Sequence, residues 1–197
     1  MIDDGIAPDG KPFVQPADRA EWRAWLIEHH QTSRGVHLAG WRRASGHEPI
    51  DYVACTEEAL CVGWIDSKAS RLDEERSLLW FSPRKPGSGW AGTNKERVAR
   101  LTAAGLMLPA GLAVVEQAKR NGTWTMLDDV EALVVPDDLA AALVAHPPAR
   151  EHWDAFAPSV RKMLLGWVVA AKRPETRARR IEEIATKAAR NEKANGL

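Results

Sequence analysis

The sequence predicts an α+β fold, with a small mixed α/β N-terminal part that holds a short antiparallel sheet and an all-helical C-terminal part. Up to about residue 90, short strand-like apolar runs alternate with helical patterns. Beyond that point the apolar residues recur at helical spacing only. We therefore divide the chain into a flexible N-terminal arm over 1–17, the α/β part over 18–90 and the helical part over 91–197.

The arm is predicted because glycine and proline interrupt every short run near the N-terminus. These residues are Gly5, Pro8, Gly10, Pro12 and Pro16.

Two helices are predicted in the α/β part, each preceded by an aspartate that can cap it. Asp18 precedes an amphipathic pattern that runs to about Gln31, and Asp51 precedes one that runs to about Val62. Gly63 follows the second pattern, where a glycine often ends a helix.

The strands of the α/β part are predicted from short apolar runs. One covers residues 35–43, and two more cover 64–68 and 77–82. The polar residues 71–76 would join the last two strands as a hairpin. A loop over 83–92, with two prolines and three glycines, leads into the helical part.

The helical part is recognised by repeated helix-start signals, each an N-cap residue or a proline at the first turn. They are Thr93 or Asn94, Pro109, Pro136, Pro158 and Pro174. A short helix is also expected between the break at 147–148 and Phe156. Residues 123–135 lack a clear period and are interpreted as extended or irregular.

Charge and hydropathy argue against several classes of protein. The 27 basic and 27 acidic residues cancel, so no overall field favours nucleic acid or membrane as a partner. The start is acidic rather than basic, and no apolar run reaches the roughly 18 residues of a membrane span. We expect a cytoplasmic protein that does not insert into membranes.

Motifs for catalysis and metal binding are absent from the sequence. Cys55 and Cys61 do not form a CxxC pair and are interpreted as buried free thiols. The six histidines form no HExxH, and neither GxSxG nor a P-loop occurs. We predict no cofactor and no metal site, and the catalytic residues, if any exist, are not identifiable.

Several short motifs, taken in order along the chain, resemble one family. They are EALCVGWID at 58–66, FSPRKP at 81–86, GLM at 105–107, PAGL at 109–112, VPDDL at 135–139 and KRPETRARRI at 172–181. Over roughly residues 20–190 the chain resembles the YdeI/OmpD-associated (OmdA, bacteriocin-protection) family. The resemblance implies a role in bacteriocin or envelope-stress protection and a regulatory or indirect link to an outer-membrane porin. It implies no established enzyme activity.

The candidate ligand site is the basic, glycine-rich segment over 82–97. A cationic loop that enters a helix N-terminus offers backbone N–H groups and positive side chains together, an arrangement that suits a small anion. This interpretation requires the Arg84 guanidinium to face an accessible hollow. The candidate residues are Trp64, Asp66, Arg84, Lys85, Ser88, Trp90, Asn94 and Arg97. In the simpler alternative, Arg84 pairs with Asp66 or Glu96 in an ordinary loop.

Two other functions stay open. The first is an enzyme of unknown reaction with a pocket around Trp64, Asp66 and Trp90. The second is nucleic-acid binding by basic C-terminal helices, a weaker candidate because i, i+4 pairs such as that of Glu183 with Lys187 can neutralise them. Its residues are Arg177, Arg179, Arg180 and Lys187. A non-enzymatic binding protein is favoured, and neither its oligomeric state nor its protein partner is predicted.

Overall fold

A computed structural model describes residues 2–194 and confirms the α+β class. The chain divides into two compact units. The first unit contains the chain up to Ser88 together with Thr93–Asn121, and the second contains Gly89–Gly92 and the chain from Gly122 onward. The sheet lies in the first unit, and the second is helical.

The sheet has five strands in the order β1-β2-β3-β5-β4. They are β1 (Asp3–Ile6), β2 (Pro12–Gln15), β3 (Val36–Trp41), β4 (Trp64–Arg71) and β5 (Arg76–Pro83). All neighbouring strands are antiparallel except β2 and β3, which are parallel. The predicted strands correspond to β3, β4 and β5, so the sheet was expected but two strands were not.

The unexpected strands, β1 and β2, occupy the segment that we predicted to be a flexible arm. They pair with each other as a hairpin, and β2 adds to β3 with Phe13 opposite His37. Phe13 and Val14 are buried on opposite faces of the sheet. Pro12 is the first residue of its strand, a position where the missing N–H is tolerated. Burial and strand pairing therefore outweigh the local glycines and prolines.

Among the described residues, the first unit contains four α-helices: α1 (Arg19–His29), α2 (Tyr52–Cys61), α3 (Gly92–Ala103) and α4 (Pro109–Arg120). Both predicted caps are confirmed. Asp18 accepts a hydrogen bond from the Glu21 N–H at 2.8 Å, and Asp51 accepts one from the Val53 N–H at 2.9 Å. Gly63 has a φ of 81°, as expected for a residue that ends a helix in the left-handed region.

The first unit's main core lies between one face of the sheet and the helices α1 and α2. Its largest members are fully buried. They are Trp22, Leu26, Leu38, Trp64 and Phe81. Cys55 and Ala59 of α2 close this core, and both side chains are completely covered.

Helices α3 and α4 belong to the first unit, although we predicted them in the C-terminal part. The close approach of α4 to the end of α2 explains this placement. A Cβ added at Gly111 would lie 2.3 Å from the Cys61 carbonyl oxygen, so only glycine fits there. The Leu108 N–H also donates to that oxygen at 2.9 Å.

The second unit contains five helices within the described residues: α5 (Asp128–Glu131), α6 (Asp137–Ala145), α7 (Ala149–Ala155), α8 (Pro158–Val169) and α9 (Pro174–Ala189). Four of them were predicted. The segment 123–135 is not extended; it contains turns and the short helix α5. Val130 draws α5 into the core, beside Leu165 and Trp153. No helix in residues 2–194 is long and apolar enough to cross a membrane.

Candidate ligand-binding site

The first unit contains a cavity of about 580 Å³, a size that suits a small ligand. The start of α1 and the start of α2 both reach it, since Asp18 and Asp51 line its wall. Asp3 and Gln15 of the N-terminal hairpin form another part of that wall. The cavity is therefore built from elements that are far apart in the sequence.

Carboxylates outnumber cations in the lining of this cavity. Among the described residues of the lining, five are acidic, Asp3, Asp18, Glu21, Glu48 and Asp51, and two are basic, Arg19 and Arg76. Three of the carboxylates lie at or next to helix N-termini, where a negative charge is favourable.

Both guanidinium groups of the lining are already engaged by the protein. Arg19 donates to Glu58 at 2.5 Å and to Glu57 at 3.4 Å. Arg76 donates to Asp3 at 3.2 Å and also bonds Gln15 and Asp73. Their positive charges are therefore balanced before any ligand enters.

The remaining wall is apolar. Ile50 and Trp41 line it, and the Trp41 ring stacks on His47 with 4.1 Å between centroids. The Arg76 guanidinium lies 5.8 Å from the Trp41 ring centroid, within the range of a cation–π contact. Gly40 also lines the cavity, and a Cβ there would lie 2.5 Å from Ile50 Cγ2.

Cys55 is among the residues of the cavity wall, but its thiol is unreactive. Its residue is fully buried, and burial raises the pKa of the thiol to about 12. At neutral pH the sulfur is protonated, and a thiol is a poor nucleophile compared with a thiolate. The cavity thus holds a thiol that is unsuited to covalent catalysis.

Two family models match the chain. Residues 14–114, just over half of the 197, match the model described as Domain of unknown function (DUF8412). The chain belongs to this family. Residues 132–191 match the model described as Bacteriocin-protection, YdeI or OmpD-Associated (OmdA). No curated protein and no solved structure gives a match.

The OmdA match confirms, over residues 132–191, the family that the sequence motifs indicated, and the two matches divide those motifs between them. The motifs at 135–139 and 172–181 lie inside the OmdA region. Those at 58–66, 81–86, 105–107 and 109–112 lie inside the DUF8412 region. The described residues that line the 580 Å³ cavity fall between 3 and 76, so they lie in or just before the DUF8412 region.

The predicted site residues Trp64 and Arg84 are buried rather than exposed. Trp64 is 1% exposed, and its indole N–H donates to the His30 carbonyl oxygen at 3.2 Å. Arg84 is 8% exposed, and this burial lowers its pKa to about 10, against the opposing charge of Asp66. Its guanidinium therefore does not face open solvent, in contrast to our expectation.

The other predicted ligand residues are divided between the two units. Lys85 is exposed and Ser88 half-buried, whereas Arg97 donates to Asn94 at 2.9 Å within α3. Trp90 is 2% exposed and belongs to the second unit, with its ring 5.0 Å from that of Trp124.

Arg97 lines a separate cavity of about 410 Å³ in the first unit. Arg100, Thr93 and Glu96 of the same helix and Glu57 of α2 contribute to its wall. Of the eight predicted ligand residues, Arg97 is the one found in the described lining of this cavity.

The basic residues of the OmdA region are largely paired. Arg177 bonds Asp138 with two hydrogen bonds of 2.7 and 2.9 Å, and Lys187 lies 3.3 Å from Glu183. The Arg180 guanidinium contacts the Trp167 ring and its carbonyl oxygen. Arg179 is exposed. Three of the four residues proposed for nucleic acid are thus engaged within the protein.

Over residues 2–194, no three histidine, cysteine or carboxylate side chains come together in a way that could hold a metal ion.

The 580 Å³ cavity was not predicted from the sequence because its lining comes from several separate segments. The only available signal was the pair of capping residues Asp18 and Asp51, whose shared location the sequence does not reveal.

Proposed function

We propose that the chain is a non-enzymatic binding protein that holds a small organic cation with several N–H groups in the 580 Å³ cavity. The observation that carries this proposal is the excess of five carboxylates over two guanidinium groups in the lining. An anion would meet net negative charge there, whereas an amine or guanidinium compound would find complementary charge.

The cavity also retains hydrogen-bond acceptors for such a ligand. Asp18 and Asp51 each use only Oδ1 in capping, and within the described residues no hydrogen bond engages their Oδ2 atoms. Glu48 is exposed, and among those same residues none bonds its carboxylate. The Trp41 ring adds an aromatic surface that already accepts the Arg76 cation.

Spermidine is a suitable probe, and isothermal titration calorimetry at low ionic strength is the test. The double variant Asp18→Asn/Asp51→Asn removes two charges but keeps both caps, since asparagine caps a helix as well as aspartate does. We expect the Kd to rise at least tenfold, about 1.4 kcal/mol, and binding to weaken with added salt.

The matched control is Asp129→Asn/Asp137→Asn. These residues are exposed in the first turns of α5 and α6, outside the cavity, and the net charge changes equally. Its Kd should equal that of wild type. Failure of wild type to bind spermidine, or equal weakening in both double variants, would contradict the proposal.

The OmdA match supports placing this binding in bacteriocin or stress protection. In this proposal the ligand-bound protein is the protective form. Bacteria that produce wild type should survive a bacteriocin challenge better than bacteria that produce Asp18→Asn/Asp51→Asn at the same protein level. Equal survival of the two cultures would show that protection does not depend on ligand binding in the cavity.

A second candidate function is anion binding at the 82–97 segment. It is favoured by the 410 Å³ cavity, where Arg97 and Arg100 lie beside Thr93 near the start of α3. Sulfate should then raise the thermal midpoint of wild type more than that of Lys85→Gln/Arg97→Gln. The control Arg43→Gln/Lys172→Gln replaces an exposed arginine and lysine outside the segment and should behave like wild type. Identical sulfate shifts in all three proteins would reject this function.

A further inference from the structure

The first unit has a second cavity, of about 470 Å³, between the N-terminal hairpin and the C-terminal half of α1. The hairpin contributes Asp4, Ile6 and Phe13, and α1 contributes Trp25 and His29. Over the part of the chain that the structure describes, this cavity and the 580 Å³ cavity have no lining residue in common, so the cation binding proposed above does not involve it.

The aromatic wall of this second cavity is held rigidly. The Trp25 ring stacks on Trp22, with centroids 5.4 Å apart and planes 10° from parallel. Trp22 is fully buried and its indole N–H is bonded to Cys55. Trp64 packs edge-on against the Trp25 ring, with 6.2 Å between centroids. A wall fixed in this way loses little conformational freedom when a ligand binds.

Two polar groups of the cavity are available to a ligand. The His29 ring packs edge-on against Trp25 at 4.6 Å, and within residues 2–194 no hydrogen bond engages its ring nitrogens. The Asp4 carboxylate is exposed and likewise has no bonded partner in that part of the chain. The hydroxyl groups of Thr32 and Ser33 are already bonded to backbone atoms.

We propose that this cavity binds a planar heteroaromatic molecule that carries an N–H group. The flat ring would pack on Trp25 of α1, as offset or edge-to-face aromatic pairs do, with Ile6 of the hairpin on its other side. A ring nitrogen would bond His29, and the ligand N–H would donate to Asp4. The volume of about 470 Å³ accommodates one fused ring system.

Ile6 supports this assignment. It is 68% exposed at the rim of the cavity, and a bound ring would cover part of its side chain. The competing occupant is a second copy of the chain, because β1 is an edge strand with unpaired backbone groups on its outer side. The size and the two free polar groups of the cavity favour the small molecule.

Benzimidazole is the probe, observed by saturation-transfer difference NMR with full-length protein at pH 7.5. We expect saturation transfer from wild type, with a Kd below about 1 mM, consistent with a ligand of nine heavy atoms. Ile6→Lys places a charged chain at the rim and should weaken binding at least fivefold. His29→Leu keeps the apolar contact, removes the hydrogen bond and should also weaken binding.

Ile27→Lys is the matched control, since Ile27 of α1 is 48% exposed but does not line the cavity. It should bind benzimidazole as wild type does, and all variants should bind spermidine unchanged. The proposal is overturned if wild type shows no saturation transfer, or if Ile6→Lys and Ile27→Lys bind equally well. It is also overturned if size-exclusion chromatography shows that Ile6→Lys converts a dimer into a monomer.

Discussion

The indole N–H of Trp22 donates a 3.0 Å hydrogen bond to the carbonyl oxygen of Cys55, which ties α1 to α2. Trp153 in the second unit is equally buried, but within residues 2–194 no acceptor bonds its indole N–H. A comparison of the two tryptophans therefore distinguishes the contribution of the indole hydrogen bond to the free energy of unfolding from the contribution of the buried ring.

We predict that Trp22→Phe costs about 1 kcal/mol more free energy of unfolding than Trp153→Phe. Both substitutions leave a similar void, but only the first removes a satisfied hydrogen bond. Urea denaturation of both variants, followed by circular dichroism, measures the difference. Equal losses would show that the bond between Trp22 and Cys55 contributes nothing net.

A second prediction concerns Glu58, which is 4% exposed and accepts hydrogen bonds of 2.5 Å from both Arg19 and Arg23. Glu58→Gln should lower the free energy of unfolding by about 1–3 kcal/mol, because charge-assisted bonds of a buried group are lost. Glu116→Gln is the control, since its pair with Lys119 is exposed to solvent and should contribute far less to the free energy of unfolding. A Glu58→Gln effect no larger than that of the control would contradict this reading of the cluster.

A third prediction concerns acid stability. The hydrogen bond from His37, together with Lys11, lowers the pKa of Asp9 from 3.8 to about 2. Because the folded pKa is depressed, the ionised carboxylate stabilises the fold above pH 3.8, and this contribution is lost as the pH falls toward 2. The thermal midpoint of Asp9→Asn should therefore lie below that of wild type at pH 6 and approach it near pH 2. If the difference in thermal midpoint between Asp9→Asn and wild type does not change with pH, ionisation of Asp9 does not stabilise the fold.

A fourth prediction concerns the two free cysteines, both buried. With a pKa of about 12 instead of 9, Cys55 has roughly a thousandfold less thiolate at pH 8. Burial also raises the pKa of Cys61. Reaction with a disulfide reagent should be slow for the native protein and fast, with two equivalents, in denaturant. Rapid labelling of native protein would mean that α2 opens locally.

Much of the fold could be predicted from local signals. Helix ends are set by chemistry that acts within a few residues, and they were predicted correctly at Asp18, Asp51 and Gly63. The hairpin could not be predicted because its stability comes from pairing with β3, which lies beyond α1 in the chain. The short helix α5 was missed for a similar reason, since Val130 is held by the core of the second unit.

The candidate sites were less predictable than the fold. A loop of cationic and glycine residues indicates an anion site only if its cations face outward, and sequence does not show which way they point. Arg84, the first residue after β5, is instead buried, and that burial depends on packing with residues distant in the sequence. The N-terminal hairpin lines both the 580 Å³ and the 470 Å³ cavity, and its position depends on the pairing of β2 with β3. No local sequence motif could therefore predict either cavity.

The tetrapeptide 89–92 belongs to the helical unit although residues on both sides of it belong to the first. It carries Trp90, whose covered ring lies beside Trp124. A gene fragment that starts at codon 122 would therefore encode the helices of the second unit without Trp90, one of the buried aromatic residues of that unit. Cutting the chain at a single position would leave one of the two units incomplete. The two units are therefore best expressed and engineered as one chain.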